Sequence, residues 1–190
     1  MIFKPQDIRD IADKINNGQL GIVATDTLWG FIGLATEENF ERLSTIKNKK
    51  NTPFLMLTSS LDRLKGWCPT TSRVLDAFMD KVWPGPTTLL LPAGSQVPGY
   101  ISQGRDTIGV RVPSYIPIWF LLTLVEGPVF STSVNLVGEQ PVQDIKECPQ
   151  DIVTQVDFVC TVFPPLSGTA SAIVDCSVTP FKVIRGQIDL

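Results

Sequence analysis

The chain has 190 residues, 43% hydrophobic and 18% charged, which is enough apolar material for one sizeable core and excludes a disordered chain. Its formal net charge of −3 excludes a broadly basic nucleic-acid binder, so any contact of that kind needs a local patch. Histidine is absent, which excludes Ser-His and Cys-His catalysis and most zinc sites.

The first predicted element is a helix in "KPQDIRDIADKINNGQ", where Ile8, Ile11, Ala12 and Ile15 recur at helical spacing. Pro5 fits its first turn and Gly18 its stop. "LGIVA" (20–24) reads as a buried strand. Thr36 is placed to cap a second helix with Phe40, Leu43 and Ile46 on its inner face. "PFLML" (53–57) is a strand, and 71–82 is a helix with a stripe of Val74, Leu75, Phe78 and Val82. Trp83-Pro84-Gly85-Pro86 is a rigid turn that reads as framework rather than ligand contact.

"TTLLLP" and "TIGVRVP" (107–113) are strands, after which Ser114 is placed to cap a helix reaching Val125. The apolar run in that helix is about ten residues, below the roughly 18 to 20 needed to cross a bilayer. "GPVFST", "VDFVCTVF", "SAIVDC" and "FKVIRG" supply further strands. Strands and helices mix without steady alternation, which predicts an α/β (α+β-like) fold with a twisted, mixed sheet. No repeat or linker divides the chain, so one domain over 1–190 is expected. The N-terminus lacks the apolar core of a signal peptide, so a cytoplasmic protein is expected. Cys68, Cys148, Cys160 and Cys176 are then expected as reduced, packed thiols.

Five stretches carry candidate chemistry. In "ATDTLWG" (24–30), Thr25 and Thr27 either satisfy a turn or bind a small polar ligand against Trp29. Lys47, Lys49 and Lys50 either complement a helix C-terminus or clamp phosphate as mobile point charges. Arg111 stands in an apolar strand and needs a partner, either a structural carboxylate or an anionic ligand. Ser131, Thr132, Ser133 and Asn135, leading to Gly138, make either a capped turn or a cradle for an anion or nucleotide. "SGTASAIVD" (167–175) is a Ser-rich turn, and Arg185 is the only arginine after Arg111.

Taken in order, "TDTLWG", Lys47-Asn48-Lys49, "WPGP", Arg111-Val112-Pro113, Ser131-Thr132-Ser133-Val134-Asn135, Ser171-Ala172-Ile173 and Arg185-Gly186 resemble the YrdC-type domain of the threonylcarbamoyl-AMP synthase family. The resemblance runs from about residue 20 to 187. It implies a twisted sheet flanked by helices around a large basic cavity. It also implies a nucleotidyltransferase that uses ATP with Mg²⁺, L-threonine and bicarbonate. The product would be L-threonylcarbamoyladenylate, with pyrophosphate released, for the N6-threonylcarbamoyl modification of adenosine in tRNA. A tRNA threonylcarbamoyl transferase complex is the implied partner.

By position, Thr27, Arg111, Ser131 and Ser171 resemble threonine-binding residues. Lys47, Lys49, Thr107, Ser133, Asn135 and Arg185 resemble ATP-binding residues, with Lys47 and Lys49 as the catalytic phosphate pair. The family's K-x-R reads Lys47-Asn48-Lys49 here, replacing a guanidinium with an ammonium. The alternative is a non-synthesising YrdC-type protein that binds nucleotide or, weakly, tRNA or double-stranded RNA. No membrane partner and no protein-held metal site are expected.

Overall fold

The computed structural model describes residues 5–48, 54–69, 72–135, 139–162 and 167–188. In chain order the elements are α1 (Pro5–Asn16), β1 (Gly21–Ala24), β2 (Trp29–Leu34), α2 (Glu37–Ile46), β3 (Leu55–Leu57), α3 (Arg73–Val82) and β4 (Thr87–Pro92). They continue with α4 (Gly99–Ser102), β5 (Thr107–Arg111), α5 (Ile116–Leu124), β6 (Val129–Ser133), α6 (Gln150–Val153), β7 (Phe158–Val159), β8 (Ala172–Asp175) and β9 (Lys182–Arg185).

Local chemistry accounts for the clearest boundaries. Gly18 closes the turn after α1 at φ +81°, a conformation open to a residue without Cβ. The Thr36 hydroxyl accepts from the Asn39 amide and caps α2, as its position predicts. Ser72 caps α3 in the same way through the Leu75 amide.

The strands form one sheet in the order β7-β1-β2-β6-β3-β5-β4-β8-β9, with parallel and antiparallel neighbours mixed. Register gives each of its central strands one face for the core and one for something else. Phe130 pairs with Met56, Met56 with Val110, Val110 with Leu89 and Leu89 with Val174. All five are fully buried, so one apolar row crosses five strands. Burying each such side chain contributes about 1.5–3 kcal/mol. The Phe54 ring stacks on Phe130 at 5.6 Å and on Phe40 at 5.1 Å, which ties α2 to this face. On the opposite face, Ser131 stands beside Leu55 and Gly109 beside Leu90. That face is where the strands turn polar.

Three expectations change. The sequence reading passes over β2, because Gly30 and Gly33 weaken its strand signal. Pairing with β1 on one side and β6 on the other makes it a strand regardless. The helix expected from Ser114 begins at Ile116 without a side-chain cap, since Pro117 sets the first turn. The stripe of α3 is Leu75, Phe78 and Met79, whereas Val74 is 70% exposed.

All four cysteines are free thiols, Cys160 and Cys176 buried and Cys68 and Cys148 partly so. Burial pushes the Cys68 thiol up to about 12, so it stays protonated and unreactive near neutral pH. Among the described residues no helix is long and apolar enough to cross a membrane.

The α3 stripe makes a direct prediction. Leu75→Ala is expected to cost about 2–5 kcal/mol, whereas Val74→Ala stays within about 0.5 kcal/mol, read by denaturant unfolding.

Candidate active site

The polar face of the sheet encloses a cavity of about 600 Å³. That volume lies in the range of about 300–1,000 Å³ typical of small-molecule sites. Its floor is Leu55, Leu90, Gly109 and Ile173, and its cations are Lys47, Arg111 and Arg185. Glu139 is the carboxylate of the described wall. A Cβ on Gly109 would meet Thr88, Leu90 and Leu55 at 3.4–3.7 Å, so the glycine keeps the floor low.

One wall is a clasp between the β1–β2 loop and the end of β5. Three strands separate β1 from β5 in the sheet. Across a flat sheet that is roughly 19 Å, beyond the reach of one side chain, so the twisted sheet must bring the loop back over its own face. There Arg111 donates through Nη1 to Thr27 Oγ1 at 3.0 Å and pairs through Nη2 with Asp26 Oδ1 at 3.3 Å. The Arg111 side chain is 3% exposed and that of Asp26 2%.

Thr25 stiffens the loop. Its hydroxyl donates to Leu28 O at 2.8 Å and accepts from the Thr27 and Leu28 amides. It also lies 3.0 Å from Thr27 Oγ1, a contact in which either hydroxyl can donate. Thr27 Oγ1 accepts from Arg111 and stands at the cavity wall as a hydroxyl for a polar ligand.

Burial pushes the Asp26 carboxyl above the usual carboxylate range, and the Arg111 charge pulls it part of the way back. Burial also lowers the proton affinity of Arg111, which Asp26 restores in part and nearby Arg185 reduces further. Arg111 Nε is buried without a partner among the described residues. A donor left in that state costs about 1–3 kcal/mol, which an anionic ligand would offset.

Beside the clasp, Ser171 Oγ lies 2.9 Å from Thr88 Oγ1. Arg185 donates through Nε to Ser171 O at 3.0 Å and through Nη2 to Ser171 Oγ at 3.3 Å. The opposite wall is built on Lys47, which is buried at the C-terminus of α2 rather than solvated there or mobile. Its Nζ donates to Ser133 O at 2.7 Å and Asn135 Oδ1 at 2.9 Å, and lies 5.8 Å from the Phe31 ring centroid. Ser133 Oγ donates to the same Asn135 oxygen at 2.7 Å, and Asn135 Nδ2 donates to Glu139 O.

The structure thus brings Thr27, Lys47, Arg111, Ser131, Ser133, Asn135, Ser171 and Arg185 to one cavity. Thr107 is not part of its wall. It opens β5 four residues before Arg111, roughly 13 Å away along the strand. Lys49, Lys50 and Gly138 lie outside the described residues. Asp26, Thr88 and Gly109 were missed by sequence reasoning, because each matters only through a neighbour distant in the chain.

The family model Sua5/YciO/YrdC, described as "Telomere recombination", matches residues 13–186. The chain belongs to this family. Within it, the chain is similar to the threonylcarbamoyl-AMP synthase of Xanthomonas campestris, 29% identical over 88% of this chain and 89% of that protein. It is also similar to the threonylcarbamoyl-AMP synthase of Pyrococcus abyssi, 26% identical over 94% of this chain. It spans only about half of that relative, 53% of its length. Among solved structures, the fold superposes on P. abyssi Sua5 complexed with L-threonine with a TM-score of 0.89 at 24% identity, covering 97% of this chain and 55% of that one. It superposes on E. coli YciO with a TM-score of 0.80 at 23% identity, covering 96% of this chain and 91% of that one. At these identities the two superpositions establish the YrdC-type fold.

The Lys47 wall of the cavity generates a stability prediction. Lys47→Met removes the donor to Ser133 O and Asn135 Oδ1. It is expected to cost about 1.5–3 kcal/mol in urea unfolding, the range for hydrogen bonds involving a charged group.

Proposed function

We propose that this single YrdC-type domain synthesises L-threonylcarbamoyladenylate from L-threonine, bicarbonate and ATP, releasing pyrophosphate, for N6-threonylcarbamoyl modification of tRNA. The observation that carries the reading is the Arg111–Thr27 clasp beside Ser171 and Arg185, facing Lys47, Ser133 and Asn135 across one cavity. The synthase names of relatives that align with most of this chain support it.

In this reading Arg111 takes the threonine carboxylate, and Thr27 Oγ1 meets its ammonium or hydroxyl. Ser131 and Ser171 complete the amino-acid end. The amine captures bicarbonate or CO₂ as a carbamate. A carbamate oxygen then bonds to the α-phosphorus of ATP as the α–β bridging bond breaks and pyrophosphate leaves with its electron pair. Such a transfer needs alignment and charge neutralisation more than a side-chain base, which suits a chain without histidine.

Ser133, Asn135 and Arg185 face the nucleotide and Lys47 the phosphates, and the sequence resemblance gives Lys49 a phosphate role as well. Mg²⁺ enters as part of the Mg·ATP substrate. Among the described residues no group of three or more His, Cys, Asp or Glu could hold a resident ion. The adenylate would pass to a transferase acting on tRNA, in the cytoplasm.

The test is pyrophosphate release by the purified chain with Mg·ATP and bicarbonate, with and without L-threonine, and mass detection of the adenylate. Threonine-dependent release is expected. Its absence, with the protein folded and Mg·ATP bound, would overturn the synthase reading. Arg111→Ala is expected to lower kcat/KM for L-threonine about 30-fold or more, the cost of removing one partner of a buried charge pair.

A further inference from the structure

We propose that Asp26 is a positioning residue for substrate: it acts through Arg111 and sets the affinity of the cavity for the carboxylate of its amino acid. The inference rests on the synthase reading above and assigns a role to a residue outside the ligand's reach. Asp26 is 4% exposed and absent from the cavity wall, whereas Arg111 lines it. The carboxylate therefore stands behind the guanidinium, where it does not meet the anion it helps to bind.

Two physical effects oppose each other here. Asp26 lowers the net positive potential of the site, which by itself weakens anion binding. It also orients a guanidinium in a place where burial penalises the charge. The geometry favours the second effect. Arg111 Nη1 donates to Thr27 at 3.0 Å, and Nη2 forms an ion pair with Asp26 Oδ1 at 3.3 Å. Thr27 Oγ1 in turn lies 3.0 Å from Thr25 Oγ1. Ser167 holds the same loop from the other side, its amide donating to Asp26 O at 3.3 Å and its hydroxyl to Thr27 O at 3.5 Å. Among the described residues neither Asp26 carboxylate oxygen nor Arg111 Nε has a hydrogen-bond partner, so Asp26 holds the guanidinium by charge and Nε is left over. Without Asp26, one hydroxyl would hold the guanidinium, and its planar fork would lose the fixed orientation that two-point carboxylate binding requires.

The measurement is calorimetric binding of L-threonine and, separately, of Mg·ATP to the wild type, Asp26→Asn, Asp26→Glu, Arg111→Lys and the Asp26→Asn/Arg111→Lys double variant, with steady-state kinetics on each. Asp26→Asn is expected to weaken L-threonine about tenfold or more, since displacement of a clamp by about 1 Å costs up to about 100-fold. Mg·ATP affinity should hold within about twofold, and KM for L-threonine should rise by more than kcat falls. Asp26→Glu is expected to recover part of the loss. In the Arg111→Lys background Asp26→Asn should add little, because both act through one contact.

Asp26→Asn that folds and binds L-threonine as tightly as the wild type, or more tightly, would overturn the proposal. So would parallel losses for both substrates, the mark of a purely structural role. If Asp26→Asn does not fold, Asp26→Ser, which also removes the charge, decides: wild-type affinity for L-threonine rejects the positioning role, and a loss confined to L-threonine supports it. A wild type that binds Mg·ATP but no L-threonine defeats the synthase reading itself, an outcome distinct from failure of the Asp26 role.

Discussion

The cavity depends on a cation held inside a sheet. A guanidinium in the interior is costly unless paired, so placing Arg111 at the end of β5 requires a carboxylate to reach it. Asp26 is that carboxylate, and it comes from the loop between β1 and β2, three strands away in the sheet. Meeting this one requirement folds the loop over the sheet face and closes one wall. Thr25 and Ser167 then stiffen the loop, so the charge pair is carried on a preorganised turn rather than on a free segment.

The same strands serve core and cavity because a strand has two faces. From Phe130 through Met56, Val110 and Leu89 to Val174, one face is an unbroken apolar row. One residue further along each of the central strands lie Ser131, Leu55, Gly109 and Leu90, which line the cavity. A register slip of one residue would exchange the two sets, turning the Ser131 hydroxyl into the core and Phe130 toward the cavity. Stability and site geometry are therefore coupled through register, and the β1–β2 loop adds Thr27 to what the strands supply.

The two ends of the cavity differ in chemistry. Around Arg111, Thr27, Ser171 and Arg185, two guanidinium groups stand beside two hydroxyls, which suits a zwitterion. Around Lys47, Ser133 and Asn135, a buried ammonium is fixed by a carbonyl and an amide oxygen and holds the end of β6 in place. The ammonium shapes that wall as well as charging it, so a lysine there contributes to both stability and binding.

Local signals in the sequence determined the elements. The caps at Thr36 and Gly18, the 3.6-residue periodicity of α1 and α2, and the apolar runs of β1, β4 and β5 all depend on neighbours within a few positions. The order of short motifs also carried the family and most of the residues that meet in the cavity. What only the tertiary structure decided depends on partners far apart in the chain. Arg111 and Thr27 are 84 residues apart, Lys47 and Ser133 86, and Thr88 and Ser171 83. The carboxylate that answers Arg111, the fixed state of Lys47 and the strand character of Trp29–Leu34 all follow from strand order and register. Periodicity says which face of a strand is apolar. It does not say which strand lies beside it, because pairing is chosen by the packing of the whole sheet.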